Sequence, residues 1–473
     1  MKKIIFAFSF ISCFILSCEN HTIESTIDTS KPSIGIADSL VNQVATETLR
    51  SWQAYTKYAW GHDALKPLSK TYSDWYNEPL YISPIDAYST LELMGFADEA
   101  AKIEAYVVDS LDFDKNINVK VFEVNIRILG GLLAMYELSA NQKVLDKARD
   151  FADRMLPAFN TKTGIPTYWI NLSTGEATGD TVNVAEAATY TFEMGILSYY
   201  TSDPKYYQAG KKATMAIYNR RSELGLIGDV IDVETGEWVS KQSHICAGVD
   251  SYYEYLYKSY LMFNDRQLGE VWDNSINTIN TYIAEEYNGK LWYSRVNMDT
   301  GKPVSSVITL YDAFFPAILA LSGDTTRAIE LQSTWNWVWN RYGLEPTVYD
   351  FRKDTSGYPV YDLNPEIIES AYYLYHITGN KEYFDMNMKY WNDIMRYCRT
   401  DIAYTSVKNV VTKEQRDYMP TFFFAETLKY LYLTFSHGSN TTYLDEHIFN
   451  TEAHPFKKSN FDHEVAKKRL GID

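Results

Sequence analysis

Hydrophobic and polar positions along the 473 residues recur mostly at helical spacing, and few stretches alternate with a period of two. This pattern predicts an all-α fold. A short turn recurs after each Tyr- or Leu-rich helical run, marked by Asn141, Asp203, Asp265, Asp324 and Asn380 at intervals of 62, 62, 59 and 56 residues. A period of that size suits two helices and two loops. Each marker is a cap residue that opens an amphipathic helix: Tyr206, Tyr207, Ala209 and Ala213 follow the second marker, and Tyr383, Phe384, Met388 and Trp391 the fifth. An earlier turn, Gly95 to Asp98, closes the first unit, so six junctions delimit seven units. Seven helical hairpins either stack as an open solenoid or close into a toroid with inner and outer helix rings.

The N-terminus follows a different pattern. Lys2 and Lys3 precede an apolar run from Ile4 to Leu16 that is too short for a membrane span and has the layout of a secretory signal. It ends in Ile15-Leu16-Ser17-Cys18, which resembles the bacterial lipobox, in which the Cys is lipidated and becomes the mature N-terminus. Residues 1–17 are therefore expected to be a lipoprotein signal peptide, 18–36 a flexible tether rich in Ser, Thr and Asn, 37–456 the helical body and 457–473 a C-terminal tail. The expected product is an outer-membrane lipoprotein of a bacterium, facing the periplasm or the surface. Its only membrane contact is the lipid on Cys18, and it is otherwise a monomer.

Composition narrows the function. With 61 Asp+Glu against 44 Lys+Arg the formal charge is −17, which excludes a nucleic-acid binder because phosphate binding needs a basic surface. At 46% hydrophobic and 22% charged the chain can bury a sizeable core. The aromatic share of 15% suits stacking on sugar rings and ordinary helix packing equally. Once the signal is gone, Cys246 and Cys398 are left beside the lipidated Cys18, and both are expected as buried thiols.

Four segments place acids in apolar or aromatic surroundings at or near helix starts: Val121 to Arg127 with Glu123, Gly248 to Tyr255 with Asp250, Asn364 to Ser370 with Glu366 and Glu369, and Phe422 to Thr427 with Glu426. Buried carboxylates are costly unless paired, metal-bound or used in chemistry. Each has a plain structural reading too. Glu123 and Arg127 stand at i,i+4 as a surface pair would, Asp250 could cap the following helix, and Glu366 after Pro365 could serve the helix dipole. Taken together, acid-bearing helix starts in different repeats point to one shared pocket, which favours the toroid.

At these residues the chain resembles glycoside hydrolase family 47, the class I α-mannosidases, and within it the ER-degradation-enhancing mannosidase-like branch. The matching segments are Phe122 to Leu133, Ala247 to Tyr255, Ala313 to Pro316, Pro365 to Ser370, Ala425 to Leu433 and Phe449 to Pro455, in family order from about residue 42 to 456. The resemblance implies an (α/α)7 barrel plugged by a C-terminal β-hairpin, and calcium-dependent, inverting hydrolysis of α-1,2-linked mannose in oligosaccharides. It implies that Glu366 is the base and that Glu123 and Asp250 supply the acid function, directly or through water. Arg127, Glu186, Glu369, Phe422 and Glu426 are implied in sugar binding. Thr451 is implied as the calcium ligand through its hydroxyl and carbonyl, with carboxylates holding the metal's waters.

The chemistry agrees with that set, because inversion needs one carboxylate to activate water and an acid on the opposite side. The 8 His form no zinc-binding cluster. Some positions depart from the family pattern. Gly248 and Asn364 stand where processing mannosidases carry arginines, Leu310 where they carry a pocket histidine, Ser89 replaces an Asp and Pro420 a Glu. A non-catalytic, lectin-like lipoprotein is the competing reading, but capture alone needs no matched acid and base.

Overall fold

Inner and outer helices alternate along the protein in its computed structural model, which describes residues 34–472. The signal stretch, Cys18 and most of the expected tether lie outside the described residues. Seven inner helices neighbour one another in a closed ring: Ile82–Leu93, Gly130–Ser139, Thr191–Thr201, Asp250–Phe263, Phe315–Leu321, Glu366–Thr378 and Leu428–Phe435, the last returning to the first through the Phe423–Thr427 segment. Each packs on an outer helix. Six of these pairs are sequential hairpins. The seventh joins the two ends of the chain, with Ile34–Tyr58 lying on Leu428–Phe435.

The recurrent turn explains the six hairpins. The residue before each of the five markers adopts a left-handed backbone, from Ala140 and Ser202 through Asn264 and Gly323 to Gly379. The marker's side chain then caps the outer helix: Asn141 accepts from Lys143 N at 3.1 Å, Asp265 from Gln267 N at 3.1 Å, and Asn380 from Glu382 N at 3.0 Å. Such caps stabilise a helix by about 1 kcal/mol each. The outer helices bury one face only, as in Gln142–Met155 through Val144, Leu145, Ala148, Phe151, Ala152 and Met155. The inner helices are enclosed on every side, and Ile82–Leu93 is buried continuously from Ile82 to Leu91.

Among the described residues, eight small antiparallel sheets of two or three strands fill the connections between helices. Their strands run two to four residues, too short to show alternation in the sequence. Several lead directly into inner elements: Asn118–Lys120 into Val121–Val124, Thr181–Asn183 into Val184–Ala188, and Val307–Thr309 into Leu310–Phe314.

The chain's two ends differ from the sequence reading. The first helix already includes residues 34–36, which the sequence pattern places in the tether. At the other end, His447–Phe449 pairs antiparallel with Pro455–Lys457, a C-terminal β-hairpin as the resemblance implies, and the difference begins after it. A further helix, His463–Leu470, is capped by Asp462, packs on Thr191–Thr201 and Asp250–Phe263, and buries Ala466 and Leu470. The described part of the expected tail, residues 457–472, is thus packed on the barrel. An eight-residue helix carries too few periodic positions to register as an element. Cys246 and Cys398 are both buried free thiols. No helix among the described residues is long and apolar enough to cross a membrane.

Candidate active site

The N-terminal ends of the inner helices face one cavity of about 540 Å³, and all nine side chains singled out above for chemistry, sugar contact or metal line it. They come from six separate parts of the chain, which only ring closure brings together.

Glu123 lies in a short helical turn, Val121–Val124, that runs into a π-helical segment, Asn125–Leu129, before the regular helix resumes at Gly130. Such wide turns recur at functional sites because they redirect side chains. Here the turn aims Arg127 into the cavity wall, where Nε donates to Glu123 at 3.0 Å and Nη1 donates to Glu452 at 2.6 Å. The guanidinium also lies over the rings of Trp75 and Phe422, at 5.1 and 5.7 Å. Burial opposes its charge, but Glu452, Glu123, Asp86 and Glu426 outweigh that and raise its pKa. Glu123 and Arg127 are therefore not a surface pair.

Asp250 is the first residue of Asp250–Phe263, and Glu366 the first of Glu366–Thr378. Helix dipoles favour the ionised form at such positions, yet burial dominates. It pushes Asp250 up to about 7, with Glu254 and Asp312 adding to it against a 2.8 Å hydrogen bond from Ser251 N. It pushes Glu366 up to about 8, with Glu369 and Asp250 adding to it. Only a long contact from Asn364, at 3.4 Å, reaches Glu366 Oε1, and its buried Oε2 has no protein partner. Glu369 is pushed by burial up to about 7 and accepts from Tyr430 at 3.0 Å. Glu426 sits in a second π-helical segment, Phe423–Thr427, where burial and the neighbouring Glu452, Glu366 and Glu369 hold its pKa high. Glu186 closes a capping box with Asn183, so one of its oxygens is already engaged; burial raises its pKa as well.

Thr451 lies in the turn of the C-terminal hairpin. The turn is tied to the inner helices: Asn450 donates to Ile126 O at 3.0 Å and to Glu193 at 2.8 Å, and Thr451 N donates to Tyr255 Oη at 3.3 Å. Gly130 and Gly131 make that approach feasible. A Cβ on Gly130 would fall 2.6 Å from Asn450 Nδ2, and one on Gly131 would lie 2.4 Å from Ile85 Cγ2 and 3.2 Å from His454.

This surplus of buried carboxylate suits a hard cation. Glu366, Glu369, Glu426 and Glu452 all have raised pKa values, while Arg127 and the Lys258 paired with Glu254 supply too little positive charge to offset them. Among the described residues, no three His, Cys, Asp or Glu side chains converge closely enough to hold a metal directly. The donor set therefore fits a cation held by Thr451 oxygens and reached by carboxylates through water.

Several contributors escaped sequence reading. Glu452, beside Thr451, is the chief partner of Arg127, and Asp86 is fully buried 3.8 Å from the same guanidinium. Trp75, Tyr311, Asp362, Arg416 and Tyr418 also line the cavity. Tyr311 lies in the short Leu310–Phe314 turn and the others in connections, none of which carries helical periodicity; only Glu452 had a signal, in its adjacency to Thr451. The departures have local consequences. Gly248 has φ of +91°, which a side chain adopts only under strain. Leu310 is fully buried, and Ser89 accepts from Lys429 at 2.9 Å.

Comparison with known proteins agrees with this geometry. The model of glycosyl hydrolase family 47 matches residues 47–458. The chain is 32% identical over 470 residues to Alpha-mannosidase I MNS5 of Arabidopsis thaliana, covering 93% of this chain and 80% of that protein. It is 33% identical over 442 residues to ER degradation-enhancing alpha-mannosidase-like protein 2 of Homo sapiens, covering 86% and 75%. Among solved structures, the alpha-1,2-mannosidase from Trichoderma reesei superposes with a TM-score of 0.81 at 27% identity, over 89% of this chain and 99% of that one. A helical barrel, a cavity of acids at its inner helix starts and a match across most of the chain lead to one conclusion: the protein belongs to glycosyl hydrolase family 47 and is a glycoside hydrolase.

Proposed function

We propose that the protein is a calcium-dependent, inverting α-mannosidase that removes terminal, α-1,2-linked mannose from oligosaccharides. The observation that carries this reading is that Glu123, Asp250 and Glu366, from three different inner-helix starts, line one cavity with Thr451. The names of the relatives supply the sugar and the linkage.

In this mechanism Glu366 takes a proton from the attacking water while Asp250 or Glu123 delivers one toward the leaving oxygen. An acid near pKa 7, as burial makes Asp250, is still partly protonated at neutral pH and suits the donor. A base near 8 is mostly protonated there and needs added positive charge to ionise. Thr451 would hold the calcium, which when bound would supply such charge and order hydroxyls and water in the pocket. Phe422 offers a ring face to the terminal sugar, and Glu369 and Glu426 accept from its hydroxyls. The C-terminal hairpin plugs the barrel end and carries Thr451 to the pocket floor. Lipidation of Cys18 holds the domain at an outer membrane.

Incubating the purified protein with α-1,2-, α-1,3- and α-1,6-mannobiose, with and without calcium, tests the reading. Mannose should appear first as the β-anomer in time-resolved proton NMR, only with metal present, and calcium should restore chelated protein better than magnesium. Initial α-mannose would refute inversion, full activity after exhaustive chelation would refute the metal, and no release from any mannobiose would refute the substrate.

A further inference from the structure

Lys429 lies on the seventh inner helix, one turn past Glu426, and is fully buried. It takes no part in the proposed proton transfers. Its Nζ donates to Ser89 Oγ at 2.9 Å, on the first inner helix, and to the backbone carbonyl of Ala453, in the turn of the C-terminal hairpin. The lysine thus joins three elements where the ring closes, and both of these acceptors are neutral. Carboxylates act on it at longer range from all three: Glu426 on its own side, Asp86 one turn before Ser89, and Glu452 beside Ala453. Burial outweighs them and pulls Lys429 down to about 7. A buried amine held only by neutral oxygens is costly, so its placement calls for a compensating gain.

Ala453 is the strained point of that turn. Its φ of +54° is left-handed, a region that alanine enters only at a cost, and its own N–H donates to Asn450 O at 3.1 Å. Asn450 Oδ1 accepts from Glu452 N at 3.0 Å and from His454 N at 2.8 Å, so residues 450–454 fold as one compact loop. The loop is fastened to the ring at three points. Asn450 donates to Ile126 O and Glu193, Arg127 donates to Glu452, and Lys429 donates to the Ala453 carbonyl. Thr451 itself has only a long tie, from its N–H to Tyr255 Oη at 3.3 Å. Its place in the cavity is therefore set by its neighbours. Strained backbone persists where its surroundings hold it, and the fixed donor on Ala453 O does so here.

We infer that Lys429 is a positioning residue: its bond to the Ala453 carbonyl holds the 450–454 loop so that Thr451 faces the active-site cavity. The inference rests on the proposed role of Thr451 in holding calcium. Charge and position predict opposite signs. A lysine acting only through its charge opposes a nearby cation, so removing it would tighten calcium binding. A lysine acting as a clamp weakens calcium binding when it is removed. Lys429→Met keeps the length of the stem and deletes the donor, and apolar replacement of a buried charge is often tolerated by the fold. Hydrogen–deuterium exchange of the metal-free protein should then run about tenfold faster in a peptide spanning 447–457, the scale of one hydrogen bond, and stay at the wild-type rate in 463–470. Titration calorimetry with calcium should show Kd raised by about tenfold. Unchanged exchange in 447–457, or calcium binding as tight as wild type or tighter, would overturn the inference. If the wild type binds no calcium, the metal reading fails, and exchange alone decides whether Lys429 holds the loop. Should Lys429→Met not fold, Ser89→Ala takes its place, keeping the lysine and freeing one side of Nζ. Exchange about threefold faster in 447–457 then supports the clamp, and no change rejects it.

Discussion

Arg127 Nη1 donates to Glu452 Oε2 over 2.6 Å, joining the second inner helix to the residue that follows Thr451. Both side chains are buried, so the pair links the placement of the C-terminal hairpin to that of Glu123, which accepts from the same guanidinium. Removing Glu452 takes away the nearest carboxylate of the Arg127 guanidinium and leaves Glu123 at 3.0 Å as its remaining hydrogen-bonded partner. Glu452→Ala should destabilise the protein, by less than the cost of about 3–5 kcal/mol for a buried ion pair whose surviving charge has no other partner. Arg127→Lys keeps the charge but loses the planar fork, so it should retain the fold and lose activity. Denaturant melts and assays on the two variants check this; a Glu452→Ala variant as stable as wild type would show that the pair does not hold the hairpin.

Glu366→Gln should abolish turnover while oligosaccharide binding persists. The amide keeps the shape at the head of Glu366–Thr378 but takes no proton from water. The general-base contribution of about 10²–10⁴ sets the expected loss in kcat. Single-turnover assays beside a binding titration measure both, and a rate near wild type would remove Glu366 from the base role.

Specificity on the leaving-group side should respond to position 364. Asn364 is buried, accepts from Asp362 N at 3.3 Å and makes only the long contact to Glu366. An arginine there adds a charged donor fork beside the base. Hydrogen bonds from charged groups contribute about 1.5–3 kcal/mol, so Asn364→Arg should shift the preference among α-1,2-, α-1,3- and α-1,6-mannobiose by roughly tenfold or more. Restoring arginine at 248 is a poorer test, because the positive φ of Gly248 strains any side chain. Unchanged linkage ratios in Asn364→Arg would show that this position does not set the choice.

Glu345 predicts a pH dependence of stability. It is fully buried, neither carboxyl oxygen has a protein partner, and burial, followed by repulsion from Glu366, raises its pKa well above 4.5. A carboxyl whose folded pKa lies above its unfolded value favours the protonated native state. Its contribution is intact below pH 4.5 and is lost as pH rises through the folded value. Glu345→Gln removes that titration, so its Tm should fall less than the wild-type Tm as pH is raised from 5 upward. Parallel Tm curves for the two proteins would show that Glu345 carries no such penalty.

The helical period, the cap residues and the left-handed turns are local properties, and the chain alone specified them. Asn141, Asp265 and Asn380 cap outer helices because a short polar side chain satisfies free N–H groups within two or three residues of itself. The acids at helix starts were equally legible, since Asp250 and Glu366 lie where apolar runs begin.

Ring closure was not legible in that way. The seventh pair joins Ile34–Tyr58 to Leu428–Phe435, and no local pattern encodes a contact between the two ends of the chain. The eight small sheets and the packed C-terminal helix likewise depend on segments too short for periodicity, ordered only by the helices around them. Whether Glu123 and Arg127 formed a surface pair or part of a buried site was also decided in three dimensions. The spacing is the same either way, and only the burial of Arg127 beneath Trp75, Phe422 and the hairpin, with Glu123 half-buried beside it, gives the pair lower-dielectric surroundings in which charge–charge interactions are stronger.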